Sequence, residues 1–164
     1  MKRRMRFGIA ILSGCGAIGV MVAPAGAASP PSITITSGPY HNGQLINLSV
    51  GPNHFFAPYS RVNVIECADP HGSTKNLPTS DAVCDGNTIQ GNTILVKKNG
   101  SFSEHGYELF ALPNTKTLGE ELGDQPVCNT KHPCVLYVGQ DQNHFSAPKV
   151  FSAPITISGS GTKS

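Results

Sequence analysis

This sequence predicts an all-β protein, an antiparallel sandwich of seven short strands, and three observations carry that prediction. Apolar residues alternate with polar ones along short runs, as in Ile33-Thr34-Ile35-Thr36 and at Ile46, Leu48 and Val50, the period that a half-buried strand imposes. Turn-forming Gly, Pro, Asn and Ser recur at near-regular intervals between those runs. Helix signals are almost absent: only TLGEELG at 117–123 can make a helical turn, and Gly119 and Gly123 keep it short.

Each strand has its own local reason. ITIT at 33–36 alternates, and SGPYHNG then turns the chain into QLINLSV at 44–50, where Ile46, Leu48 and Val50 share a face. RVNVIEC at 61–67 points Val62 and Val64 inward, after a connection punctuated by Pro52 and Pro58. NTILV at 92–96 and SFSEHGYELF at 101–110 flank Lys98-Asn99-Gly100-Ser101, the strongest turn in the chain, because Asn-Gly accepts the positive φ values of a tight hairpin. Phe102 and Tyr107 fall out of period-two register across Gly106, so a bulge is expected there. CVLYVG at 134–139 and VFSAPITIS at 150–158 complete the set, with Pro154 marking an edge or a bulge in the last strand. Near copies, NHFFAP at 53–58 and NHFSAP at 143–148, fall in two of the connections and read as two similar loops.

The first 27 residues read as an export signal. Lys2, Arg3, Arg4 and Arg6 precede the apolar run Phe7 to Val22, and Ala25-Gly26-Ala27 offers a signal peptidase its small-x-small pattern. Lipid attachment at Cys15 competes as a minor alternative, and Arg3-Arg4 hints at a twin-arginine route. The domain plan is then a signal at 1–27, a short N-terminal tail at 28–32, one sandwich domain at 33–158 and a polar, frayed tail at 159–164. Four of the twelve Lys and Arg belong to the signal, so the mature chain carries eight against ten Asp and Glu. Its basic side chains form no run longer than Lys97-Lys98, which argues against a nucleic-acid grip by the protein itself. After the signal no apolar stretch reaches the length of a membrane span, and a monomer is expected.

Four Cys remain: Cys67, Cys84, Cys128 and Cys134. An even count in an exported chain reads as two disulfides, for which three pairings exist. The local pairing Cys67–Cys84 and Cys128–Cys134 is the one expected, the larger loop contributing roughly 3 kcal/mol through restriction of the unfolded chain. The spacings suit neither a CxxC redox site nor a zinc knuckle. Trp is absent, which excludes the antibody arrangement of a Trp against an inter-sheet disulfide.

With Cys and strands in place, the order of motifs resembles the neocarzinostatin family, secreted apoproteins that carry enediyne chromophores. ITITSGPYHNGQLINLSV is similar to the family's opening strand, Asn/Asp-Gly turn and second strand. VNVIECA resembles its strand ending in Gln-Cys-Ala, with Glu66 in place of Gln. VKKNGSFSEHGYELF is similar to its Asp-x-x-Gly hairpin, PVCNTKHPC to its close second Cys pair and APITI to its closing strand. The resemblance implies an immunoglobulin-like seven-stranded sandwich with two local disulfides and a cleft for a flat apolar ligand. It implies a non-catalytic apoprotein that requires no cofactor beyond a non-covalently bound chromophore. Antibacterial and DNA-directed action would belong to that chromophore.

The resemblance places ligand-binding candidates at Asp69, Phe110, Leu136 and Tyr137. Two depart from the family pattern. Asp69 follows Cys67-Ala68 where the carriers have a bulky residue, and Tyr137 lies in Val135-Leu136-Tyr137-Val138 where they have small Gly and Ser. A Tyr ring there should partly fill the cleft. The alternative function is an extracellular or cell-envelope interaction module that keeps the fold and has lost the cleft.

Other candidates are weaker. His41, His54, His71, His105, His132 and His144 sit in turn-like sequence and form no HxH, HxxxH or HExxH, so surface His is expected and no metal site. No G-x-S-x-G occurs and the Cys are paired, so no nucleophile is expected and the chain is read as a non-enzyme. GQDQN at 139–143 reads as an Asx-type turn rather than a calcium loop. Phe55, Phe56, Phe110, Tyr137 and Phe145 serve the core or line a cleft.

Overall fold

The computed structural model describes residues 29–69, 77–90, 93–113, 126–140 and 145–159. The export signal, the helical turn at 117–123, His71, His144, residues 141–143 of the Asx-type turn and the tail beyond Gly159 lie outside the described residues.

The chain is mainly β. Its strands are β1 (Ile33–Ile35), β2 (Tyr40–His41), β3 (Leu45–Val50), β4 (Arg61–Ala68), β5 (Cys84–Asp85), β6 (Ile94–Leu95), β7 (Phe102–Glu108), β8 (Cys134–Gly139), β9 (Lys149–Phe151) and β10 (Ile157–Ser158). One antiparallel sheet runs β1-β3-β7. A second runs β5-β4-β8-β9, with β6 paired to the start of β4. Cys67 and Cys84 face each other across β4 and β5, and both local Cys pairs stand at disulfide distance. Among the described residues no helix is long and apolar enough to cross a membrane.

Alternation decides which side chains go inside. Ile46, Leu48 and Val50 of β3 are buried while Leu45, Asn47 and Ser49 are exposed. The buried set packs with Val62 and Val64 of β4, Leu136 and Val138 of β8 and Val150 of β9, so the two sheets share one apolar cluster. Strand β8 breaks the pattern, being buried at every position. On its other face Val135 and Tyr137 join Ile65 and Cys67 of β4 in a second cluster, covered by Leu77, Ile89, Phe145 and Phe151. The central strands therefore have apolar packing on both sides.

Three local expectations change in the structure. The turn at 98–101 does not close a two-stranded hairpin: β6 pairs with β4 and β7 with β3, so the chain passes there from one sheet to the other. Asn99 does not take a positive φ; within the turn that conformation belongs to Gly100, at φ 80°. The last strand is two pieces, β9 beside β8 and β10 parallel to β2. Ser152 to Thr156, with Pro154 at their centre, carry the chain between sheets, held by the bridge between Ile155 and Cys134. The bulge at Gly106 is present. Ile46 pairs with Tyr107 and Asn47 with His105, while Gly106, at φ 80°, donates its N–H to Asn47 Oδ1. That extra residue brings both Phe102 and Tyr107 to the inner face.

The two near copies of one motif serve different cores. In the first, Asn53 Oδ1 accepts the N–H groups of Phe55 and Phe56, and its Nδ2 donates to Gly51 O and Gly100 O. This Asn staple sets Phe56 into the shared core, edge-on to Phe102 at 5.4 Å. In the second, Phe145 packs on the far face of β8. Phe55 and Phe145 therefore belong to separate clusters, so the described parts of the two loops share no site.

Gly100 meets that staple directly: a Cβ there would overlap the Asn53 carbonyl oxygen, on top of the positive φ. Gly100→Ala is expected to cost on the order of 2–4 kcal/mol, the sum of left-handed strain and overpacking. Urea unfolding checks it; an unchanged midpoint would show that the loop at 51–56 moves aside freely.

Candidate functional site

Tyr137 decides the fate of the expected cleft. It stands on β8 opposite Ile65 of β4 and Phe151 of β9, with its side chain on the face turned away from the shared core. Its exposure is 0 %. The Phe145 ring stacks on it at 4.9 Å with an interplanar angle of 21°, and Phe151 approaches at 72° and 5.7 Å. Gly139, two residues on and on the same face, leaves room for the phenol end of the ring; a Cβ at 139 would overlap the Tyr137 hydroxyl. Lys149 closes the edge, its Nζ 4.9 Å from the Phe145 ring centroid and hydrogen-bonded to the Phe145 carbonyl. A flat ligand lying against this face would meet packed aromatic rings.

The other three candidates lie elsewhere. Leu136 alternates with Tyr137 and so points into the shared core, where Phe110 also lies. Asp69 lies just past β4, 1 % exposed, its N–H bonded to Pro133 O. It lines a recess of about 270 Å³ with Ala68, Val127, Lys131, His132 and Pro133. The four candidates thus do not converge: two are core, one fills the outer face, and Asp69 alone borders this open space. Sequence reading missed Val127 and Lys131 and took His132 only as a surface residue. Their signal was the tight loop between Cys128 and Cys134, where Asn129 Oδ1 accepts the N–H groups of Lys131 and His132.

A buried acidic group sits behind β4. Glu66, on the core face, is 0 % exposed and pairs in register with Asp85 of β5. Its Oε1 accepts the Phe110 N–H at 2.9 Å, whereas Oε2, like Asp85 Oδ2, has no hydrogen-bond partner among the described residues. Around it Thr88 Oγ1 donates to Asp85 O and accepts the Glu66 N–H, and the Tyr107 hydroxyl donates to Thr88 O. Burial pushes the Glu66 carboxyl well above the usual carboxylate range; the Phe110 N–H pulls it down, and the charges of Asp85 and Glu108 push it further up. Burial likewise raises the Tyr107 phenol. This group is closed to solvent and is structural in its placement.

His41, His54, His105 and His132 are exposed and scattered. Among the described residues no group of three or more His, Cys, Asp and Glu could hold a metal ion. Comparison with known proteins returns nothing: no family model, no curated protein and no solved structure matches this chain.

Proposed function

We propose that this chain is an exported, non-catalytic binding domain built on an immunoglobulin-like seven-stranded sandwich of the neocarzinostatin type, with two local disulfides. It works as an extracellular or cell-envelope interaction module, without a flat chromophore against β8. The observation that carries this reading is Tyr137, fully buried between Phe145 and Phe151 on the face where the resemblance implies a ligand. Filling that face with the chain's own rings stabilises the fold and removes the space that binding would use. The mature protein, purified from its host, is expected to carry no chromophore by absorbance and mass spectrometry. A bound enediyne or other flat polycyclic molecule would overturn the reading.

The recess at Asp69 favours a second reading, that of an apoprotein for a small apolar or aromatic molecule. Val127 is 40 % exposed there, and Lys131 and His132 stand at the rim beside Ala68 and Pro133. Such a lining suits a small aromatic acid, with apolar contact for its ring and a cation for its carboxylate. Titration of the 15N-labelled protein with 1-naphthoate is expected, on this reading, to shift the amides of Ala68, Asp69, Lys131 and His132 and to raise the melting temperature. Unchanged spectra would leave only the interaction module.

A further inference from the structure

A different recess, which shares no lining residue with the one at Asp69, has the lining of a sugar site. Its volume is about 360 Å³, and Pro39, Tyr40, Thr130, Pro154, Ile155, Thr156 and Ser158 border it. The fold builds it where the chain leaves β9 and crosses to pair with β2. The bridge between Ile155 and Cys134 holds one wall, both its N–H···O bonds at 2.8 Å. The parallel pair β2–β10 sets Tyr40 beside Ile157 and His41 beside Ser158.

Three features define what fits. No lining residue is charged, so the site offers an ion neither partner nor counter-charge. Tyr40 is held before any ligand arrives: its hydroxyl donates to Thr36 O at 2.8 Å, and its ring lies on Gly38, where an added Cβ would come within 3.0 Å of ring carbon. Hydroxyl-bearing residues line the recess with it. Ser158 Oγ is tied to His41 Nδ1 and Tyr40 O, while Thr130 and Thr156 are exposed and their hydroxyls make no hydrogen bond within the described residues. Each hydroxyl both donates and accepts. An oriented aromatic surface edged by neutral donor–acceptor groups complements a pyranose ring, which presents C–H groups on one face and hydroxyls around its rim. A lipid or polycyclic ligand would strand those hydroxyls, and a phosphate or carboxylate would find no cation.

We propose that the recess bordered by Tyr40, Thr130, Thr156 and Ser158 binds a neutral saccharide of one or two rings. The site is separate from the Asp69 recess and from the closed face of β8, and it holds under either reading of function. The test is a titration of the 15N-labelled protein with cellobiose and with N,N′-diacetylchitobiose, with digalacturonate as the charged comparator. At least one neutral disaccharide is expected to give saturable shifts at Tyr40, His41, Thr130 and Thr156 to Ser158. Tyr40→Ala should weaken it about tenfold by removing the ring surface. Thr156→Val, an exposed position that leaves the core untouched, should weaken it severalfold, so the proposal does not depend on Tyr40→Ala folding. Absence of saturable shifts with both neutral sugars, tighter binding of digalacturonate at these amides, or full affinity in Thr156→Val would each overturn it.

Discussion

Tyr137→Gly is expected to open an apolar cavity on the outer face of β8 and to give the protein an affinity for flat aromatic molecules that the parent lacks. The ring makes a 4.9 Å stack with Phe145 and an edge contact with Phe151, and it is enclosed by Ile65, Val135 and the covering residues Leu77 and Ile89. Its removal should cost about 3–5 kcal/mol, the range for deleting a buried aromatic side chain. A cavity lined by apolar side chains stays dry and accepts apolar guests. Naphthalene or indole should therefore raise the melting temperature of the variant and leave the parent unchanged. Tyr137→Phe keeps the ring and should bind nothing; Tyr137→Leu leaves a smaller hole and serves if the Gly variant fails to fold. Equal response of parent and variants would show that the outer face is not filled by this ring.

Raising the pH should destabilise the protein through Glu66, and Glu66→Gln should abolish that dependence. The carboxyl titrates higher in the folded state than the ordinary value of 4.5, chiefly because it is buried. A raised folded value means that the native state holds the proton more tightly than the unfolded chain. The stabilisation is then complete below the unfolded value and is lost progressively as pH rises through the folded value. Once ionised, Glu66 would face Asp85 across β4 and β5, with Glu108 also contributing. An uncompensated charge in that setting is destabilising. Gln keeps the shape and the acceptor for the Phe110 N–H and cannot ionise. Urea unfolding at a series of pH values from 4 upward checks this: the parent should fall relative to Glu66→Gln with rising pH. Parallel curves would exclude Glu66 as the source. A protonated Glu66, like Gln, is neutral and keeps an acceptor for the Phe110 N–H.

Much of the molecule was legible beforehand because the signals are local. Alternation at Ile46, Leu48 and Val50 names their inner face whatever they pack against. The misfit of Phe102 and Tyr107 located the bulge at Gly106, since only an extra residue returns both to one side. The Cys pairing at 67–84 and 128–134 was likewise expected, and both pairs stand at disulfide distance.

The candidate site was less legible, for a reason visible in β8. Val135-Leu136-Tyr137-Val138 contains no polar residue, so alternation could not tell a strand with one wet face from one packed on both. Likewise the turn at Gly100 reads the same whether its flanking strands pair with each other or with β3 and β4, because local backbone conformation does not carry the choice of sheet. The sequence by itself determined the β-class, the inward faces and the bulge, all of which depend on neighbours within a few residues, and it left three pairings open for the four Cys. Tertiary structure alone decided that Tyr137 fills the outer face under Phe145, that Asp69 borders open space, and that Tyr40, Thr130 and Thr156 surround one recess. Those outcomes depend on which distant segments cover a surface, and burial by distant segments leaves no periodic mark in the chain.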